Sequence, residues 1–262
     1  MYQCGHAWHQ DPCVLISVQG LDIVSDGPAP IGFSSLEGWT GGTAATGGPV
    51  PWEAADGGIQ GDIHFGPRTI TIEGDITAPD HREYTALAEE IGAVLTRPRS
   101  GILVVDETYH LGLVRQVEVV RTRPPLISPV GDRHGVFTLT LEAASHLRVD
   151  VDERSAVITA AGAGLENIGT ADVPVVAHLV GPLSNPGLSW PGGAWAYSGS
   201  IPAGTTITVD MGTRVVRDPA TTEHSRHRAA GKWLALPPGT TMVTRTGSGS
   251  GTVTAYWRSA WH

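Results

Sequence analysis

The sequence is short of lysine, cysteine and long apolar runs, and each shortage excludes a class of protein. Only Lys232 is a lysine among the 17 basic residues, and 26 acidic residues give a net charge of −9. A nucleic-acid-binding protein usually shows a basic surface, so we expect neither sequence-specific nucleic-acid binding nor binding to an anionic membrane. No run approaches the ~18–20 apolar residues of a transmembrane helix. No secretory signal is visible at the N-terminus.

The two cysteines lie close together and cannot build a disulfide framework. Cys4 and Cys13 enclose His6 and His9, and all four are residue types that bind zinc. Their spacing does not match the usual paired-ligand patterns, so unpaired side chains are favoured over a zinc site or a Cys4–Cys13 disulfide. We expect no metal ion and no cofactor.

Sequence motifs for catalysis are missing as well. The chain contains no phosphate-binding loop of the G-x-x-x-x-G-K-[ST] type and no H-E-x-x-H zinc motif. It also has no nucleophile elbow. Since no pattern assembles a nucleophile with a base, we predict no catalytic residues and a protein that is not an enzyme.

Glycine and proline, by contrast, are abundant, with 34 and 19 residues. Helices tolerate both poorly and turns need them, so the composition predicts a mainly β protein. One segment predicts a helix, over residues 80–96, where Asp80 can cap the first turn. A strand starting after Pro67 precedes this helix and several antiparallel strands follow it. That order is typical of an α+β or barrel-like domain.

Residues 25–58 are rich in glycine, proline, serine and threonine and predict a long loop. Three large aromatic side chains lie in it: Phe33, Trp39 and Trp52. They could pin the loop to its own domain. Alternatively, they could dock on a neighbouring subunit, because aromatic residues are enriched at interfaces.

The chain divides into two predicted domains, residues 1–152 and 153–262. Short strands bounded by turn residues follow one another in the second domain without a helical segment, which predicts an all-β sandwich. Trp233 and Trp257 lie inside strand patterns and favour core packing. Trp190 and Trp195 flank the turn SWPGGAW and are expected to be more exposed.

Several stretches along nearly the whole chain form an ordered set. In the first domain they are GPRTITIEGDITAPDHREYTALAEEIGAVL, then GILVV and YHLGLVRQVEV; in the second they are LENIGTADVPVVAHLVG, SIPAGTTITVDMGTRVV and KWLALPPG, with YWRSAW near the end. This ordered set resembles the distal tail proteins of long-tailed, siphovirus-type bacteriophages, often labelled minor tail proteins. The long segment 25–58 departs from the family pattern, so the resemblance assigns no role to Phe33, Trp39 or Trp52.

The resemblance implies a structural component of the phage tail tip. It implies an N-terminal belt domain, a β-barrel with one helix, that closes into a homohexameric ring, and a C-terminal galectin-like β-sandwich. Such a ring joins the tail tube protein to the tail-associated tip protein and can hold receptor-binding proteins. The protein would then belong to the virion.

The alternative function is a carbohydrate-binding β-sandwich for adsorption to the host surface. A galectin-like sandwich suggests it, and Trp190 and Trp195 could supply the aromatic faces on which sugars stack. Fold analogy alone is a weak reason for sugar binding.

Overall fold

The computed structural model describes residues 15–24, 29–52, 56–96, 100–219 and 225–262. Strands make up 59% of the structure, so the predicted mainly β class is confirmed. The chain divides into two compact units, Met1–Val151 with His262, and Asp152–Trp261. None of the helices in the described ranges is long and apolar enough to span a membrane.

The first unit contains eleven strands and two helices among its described residues. The strands are β1 Leu15–Val18, β2 Leu21–Val24, β3 Ile31–Glu37, β4 Ala45–Pro51, β5 Gly58–Phe65, β6 Arg68–Thr77, β7 Gly101–Glu107, β8 Leu113–Arg121, β9 Leu126–Pro129, β10 His134–Ala143 and β11 Arg148–Asp150; the helices are α1 His81–Ala93 and α2 Thr108–Leu111.

Seven of these strands close into a barrel-like sheet. The order is β8-β7-β1-β2-β3-β6-β10, and β10 pairs again with β8, where Leu141 faces Arg121. Strand β9 pairs with β10, and β11 pairs with β8. All neighbouring pairs are antiparallel except β2 and β3. The predicted barrel-like domain with one long helix is therefore confirmed.

Alternating apolar residues build the barrel core because successive side chains of a strand point to opposite faces. Ile70, Ile72 and Ile76 of β6 are fully buried, and Phe137 and Leu139 of β10 are no more than 2% exposed. Threonine and carboxylate side chains occupy the alternate, outward positions of β6. The register of this strand pair is thus fixed by which face is apolar.

Helix α1 begins where the sequence predicts and ends three residues earlier. Asp80 caps it, with Oδ1 accepting a hydrogen bond from the Glu83 N–H at 2.8 Å. The predicted end at residue 96 is wrong because Leu95 takes a left-handed φ of 50°. Arg121 donates to the carbonyl oxygens of Gly92 and Val94, at 2.7 Å each, and so satisfies the end of the helix. Pro98, which we expected to end the helix, lies outside the described residues.

The predicted long loop over residues 25–58 is wrong in part, because strands lie within it. Residues 31–37 form β3, residues 45–51 form β4, and β5 begins at residue 58. Strand β3 pairs with β6, and Ile31 enters the barrel core. A break in the β3–β6 register between Phe33 and Ser35 interrupts the period-two pattern that predicts a strand. In β4, glycine and proline residues interrupt the alternation of apolar and polar residues that would predict a strand.

The second unit is an antiparallel β-sandwich, as predicted. Its described strands are β12 Arg154–Val157, β13 Ala163–Asn167, β14 Val173–Pro174, β15 Val176–Val180, β16 Leu183–Trp190, β17 Gly193–Tyr197, β18 Ser200–Ile201, β19 Thr206–Asp210, β20 Val215–Arg217, β21 Ala229–Gly231, β22 Ala235–Leu236, β23 Gly239–Ser248, β24 Thr252–Trp257 and β25 Ala260–Trp261, with a short 3-10 helix Ser225–Arg228. One sheet has the order β12-β24-β15-β19-β20 and the other β13-β23-β16-β17-β21, with β18 paired to β16.

Candidate functional site

One exposed feature of the first unit is the hairpin of β4, β5 and their connection, residues 45–65, which we call the arm. Its two strands pair with each other and, within the described ranges, with no other strand. Val50, Trp52, Ile63 and Phe65 of the arm are each between 50% and 62% exposed. A lone two-stranded hairpin is only marginally stable in water. Large apolar side chains exposed on it therefore indicate a surface that binds another molecule.

Two exposed apolar side chains of the arm share a face. Ile63 and Phe65 occupy alternate positions of β5 and so point the same way. The intervening His64, which is exposed, lies on the opposite face. The alternation does not extend to Val50, because a break in the β4–β5 register lies between Val50 and Ile63. The arm thus exposes apolar side chains on both sides of this break.

Arg68, the first residue of β6, ties both ends of the arm to the barrel. Its side chain is buried, at 2% exposure. Nη1 donates to the carbonyl oxygens of Gly38, Trp39 and Gly41 at 2.7, 3.0 and 3.0 Å. Nη2 and Nε donate to the carbonyl oxygen of His146 at 2.8 and 3.3 Å. Since these turn residues precede β4 and Arg68 follows β5, one guanidinium group holds the two segments from which the arm leaves.

Trp39 lies beside this guanidinium group and is itself 1% exposed. The guanidinium carbons of Arg115 and Arg148 lie 6.0 and 5.5 Å from its ring centroid, within the range of cation–π attraction. Its Nε1–H donates to Glu107 Oε2 at 3.2 Å, and the same oxygen accepts from Arg115 Nε at 2.8 Å. A buried tryptophan and a buried ion pair therefore share one carboxylate.

Burial shapes the electrostatics of this cluster. Desolvation, followed by the charge of Arg115, lowers the pKa of Arg68. The pKa of Arg148 falls to about 10, chiefly through burial and then through Arg115 and Arg68, while Glu107 acts in the opposite direction. Arg68 and Arg148 still remain protonated at neutral pH. Guanidinium ions donate hydrogen bonds only, so the arginines of the cluster hold backbone and carboxylate oxygens.

A ring contact adds to the attachment of the arm at the end of β5. The Phe65 ring stacks on the His146 ring, with centroids 5.2 Å apart and planes 22° apart. The pKa of His146 is lowered by burial and then by the nearby charges of His262 and Arg68. The neutral imidazole is therefore the form that faces Phe65 at neutral pH.

The structure separates the three aromatic residues of the predicted loop. Trp39 is in the buried cluster, and Phe33 is half-buried against the barrel core. Trp52 is 51% exposed at the end of β4, with its ring against Gly57. Trp39 and Phe33 thus pack within their own unit, and Trp52 is the one of the three on the exposed arm.

The two aromatic residues predicted as contacts in the second unit, Trp190 and Trp195, differ in burial. Trp195 is 1% exposed, because β17 directs it into the core, where its ring lies 5.9 Å from that of Trp233. The expected exposure of Trp195 is therefore wrong. Trp190 is half-buried, at the end of β16. Lys232 Nζ donates to the Gly192 carbonyl oxygen at 3.1 Å in the adjoining turn.

Within the described residues, no group of three or more histidine, cysteine, aspartate or glutamate side chains could hold a metal ion. Cys4, His6, His9 and Cys13 lie outside the described ranges. Sequence reasoning missed the arginines of the buried cluster. A usable signal exists for Arg68, because it has the same parity as Ile70 and Ile72 in an alternating strand and so must point inward.

Searches by sequence and by structure give different results. No protein-family model matches the chain, and no curated protein matches its sequence. Among solved structures, the Dit protein of phage SPP1 superposes with a TM-score of 0.70 at 12% identity, covering 95% of this chain and 99% of that chain. The two proteins share a fold.

SPP1 Dit is described as a paradigm of the hub adsorption apparatus in phages that infect Gram-positive bacteria. Two structures of the phage P2 baseplate in its activated conformation, with calcium and with strontium, are less similar. Each has a TM-score of 0.48 at 8% identity over 94% of this chain and 98% of that chain. The sequence resemblance to distal tail proteins is therefore confirmed as a likeness of fold to SPP1 Dit.

Proposed function

We propose that this chain is a structural, non-enzymatic hub protein of the tail tip of a long-tailed bacteriophage. Its copies form a homohexameric ring in the virion, built by the belt domain of residues 1–152. The domain of residues 153–262 is a galectin-like sandwich. The fold shared with SPP1 Dit supports the tail-tip role.

The observation that carries the ring is the arm. A lone hairpin that exposes several large apolar side chains is poorly suited to a monomer in water. A ring is built from heterologous contacts, in which one surface of each copy binds a different surface of the next. The buried cluster at Arg68 holds the arm in a fixed direction, as a repeated contact requires.

The partners follow from this role. The ring would connect the tail tube protein on one side to the tail-associated tip protein on the other, and receptor-binding proteins would attach at its edge. Carbohydrate binding is not proposed, because burial of Trp195 leaves Trp190 as the single aromatic face of the predicted pair.

Assembly of the purified full-length chain tests the proposal. Light scattering after size exclusion should give six times the 27.5 kDa mass of one chain, and negative-stain images should show six-fold rings. Replacing residues 45–65 by a short glycine–serine linker should leave a folded monomer. A wild-type chain that stays monomeric, alone and with its tail tube protein, would overturn the ring.

A further inference from the structure

The outer edge of β5 presents backbone donors that the arm itself does not use. Successive N–H groups of a strand point to opposite edges, so the bonds that close the hairpin identify the groups directed outward. At the base of the arm the Gly66 N–H donates to the Ala44 carbonyl oxygen at 3.0 Å. The strand register is unbroken from there to residue 63. The N–H groups of Phe65 and Ile63 therefore point away from β4.

Proline removes the outward donors of β4 near the tip of the arm. The Trp52 N–H donates to the Gly57 carbonyl oxygen at 3.1 Å, and the register is unbroken from there to residue 49. The alternation therefore directs the nitrogens of Pro51 and Pro49 outward, and neither has a hydrogen to donate. Strand β5 contains no proline. The arm thus has an open edge on β5 and a partly blocked edge on β4.

The base of β4 keeps its outward donors and is small and uncharged. Within the arm, Ala45 faces Phe65 and Gly47 faces Ile63, so the N–H groups of Ala45 and Gly47 point to the outer edge of β4. The sequence of β4, ATGGPVP, contains no charged residue, whereas β5 contains Asp62. An acidic β5 can therefore lie beside β4 of another copy without facing a carboxylate.

Two other strand edges of the first unit suit β5 less well. The Val130 N–H, just after β9, donates to the His134 carbonyl oxygen at 2.9 Å. The outward residues of β9 are then Ile127 and Pro129, and only Ile127 supplies a donor. Strand β3 pairs with β2 at a single position among the described residues, but β3 ends at Glu37. Like charges on facing strands are destabilising, which disfavours β3 as the partner of β5.

The two edges of the arm together meet the requirement of a ring, which needs two different surfaces on each copy. We propose that the outer edge of β5 in one copy pairs, antiparallel, with the base of β4 in the next copy. Ile63 then lies opposite Gly47 of the next copy, and Phe65 opposite Ala45 of the next copy. Each large side chain thus has a small residue on either side of it in the sheet. The inference rests on the proposed ring and names the contact that repeats around it.

Proline substitutions test the pairing because they remove a backbone donor. Ile63→Pro removes an outward N–H of β5, and Ala45→Pro removes one of β4, while the bonds inside the arm remain. Each should weaken self-association about tenfold at every contact, because a carbonyl oxygen of the neighbour loses its donor. Ile63→Ser and Ala45→Ser are the matched controls, since they change the same side chains and keep the N–H groups. Each proline variant should assemble clearly less well than its serine control.

Hydrogen exchange on wild-type rings, resolved to single amides, gives an independent readout. The His64 N–H points into the arm, so it is protected in any folded chain, whereas the Ile63 and Phe65 N–H groups are protected only if another strand pairs with β5. In the ring, all three amides should exchange at similar slow rates. In the proline variants, unchanged protection of the His64 amide would show that the arm still folds.

Three results are decisive against the proposal. Proline variants that assemble as well as their serine controls would overturn the backbone pairing while leaving the ring in place. The same holds if the Ile63 and Phe65 amides exchange much faster than the His64 amide in assembled rings. A wild-type chain with a monomeric mass would overturn the ring, and this contact with it.

Discussion

Replacing Arg68 by methionine should loosen the arm and destabilise the barrel end from which it leaves. The side chain donates five hydrogen bonds to four carbonyl oxygens. A bond from a charged donor contributes about 1.5–3 kcal/mol, but bonds that share one guanidinium group are not additive. Leaving buried carbonyl oxygens without a donor costs about 1–3 kcal/mol. We expect Arg68→Met to lower the free energy of unfolding by that amount.

Two measurements on the full-length chain separate the global effect from the local one. Urea denaturation followed by tryptophan fluorescence gives the loss of unfolding free energy. Relative to wild type, Arg68→Met should speed the hydrogen exchange of amides in residues 45–65 more than that of amides in the central barrel strands. The reason is that the carbonyl oxygens that hold the arm have lost their donor. Arg68→Lys should fall between wild type and Arg68→Met, since an ammonium group cannot reproduce the planar fork.

Arg133→Met is the matched control. Arg133 is exposed and donates one hydrogen bond, of 3.3 Å, to the Pro79 carbonyl oxygen. Its loss should change the unfolding free energy by less than about 0.5 kcal/mol. If Arg68→Met cost less than about 1 kcal/mol, or if exchange in the arm matched wild type, the assignment of Arg68 as the residue that fixes the arm would be refuted.

Three further predictions concern single side chains. Asp80→Ala removes the cap of α1 and should cost about 1 kcal/mol in urea denaturation; a cost near zero would contradict the cap. Trp195→Phe should cost clearly less than Trp195→Ala, because Nε1 has no hydrogen-bond partner among the described residues and the smaller ring still fills part of the site. Trp195→Ala should cost about 3–5 kcal/mol by leaving a cavity; equal losses would argue against this account. Burial and nearby charge lower the pKa of His146 from its ordinary 6.5. As the pH falls below 6.5, the unfolded chain takes up the proton first, so stability falls with pH, and His146→Gln should flatten that decline in a pH series of unfolding curves.

Much of the barrel and sandwich follows from the sequence because their strands alternate strictly. Ile70, Ile72 and Ile76 alternate with polar residues, as do Phe137, Leu139 and Leu141, apart from Val136, and both segments are strands with one buried face. The cap at Asp80 is equally predictable, because its side-chain oxygen lies three residues before Glu83, whose backbone N–H is the expected donor. Alternation and capping are local signals, and local signals suffice for these elements.

The candidate site was less predictable because its defining contacts join distant parts of the chain. Arg68 meets the His146 carbonyl oxygen across 78 residues, and Trp39 meets Glu107 across 68. The arm carries few apolar residues and its register breaks between Gly47 and Pro49, which removes the period-two pattern. The expected exposure of Trp195 is wrong because proximity to a glycine-rich turn does not determine the side of the sheet to which a residue points.

The single guanidinium group at the origin of the arm also bears on how such a chain can change over time. Because Arg68 fixes the take-off points, insertions or deletions beyond them leave the barrel untouched, and the entropy of closing a longer hairpin grows only slowly with its length. The hairpin can therefore vary independently of the barrel. Its length and composition can change to suit a different neighbour while the barrel end that Arg68 holds stays the same.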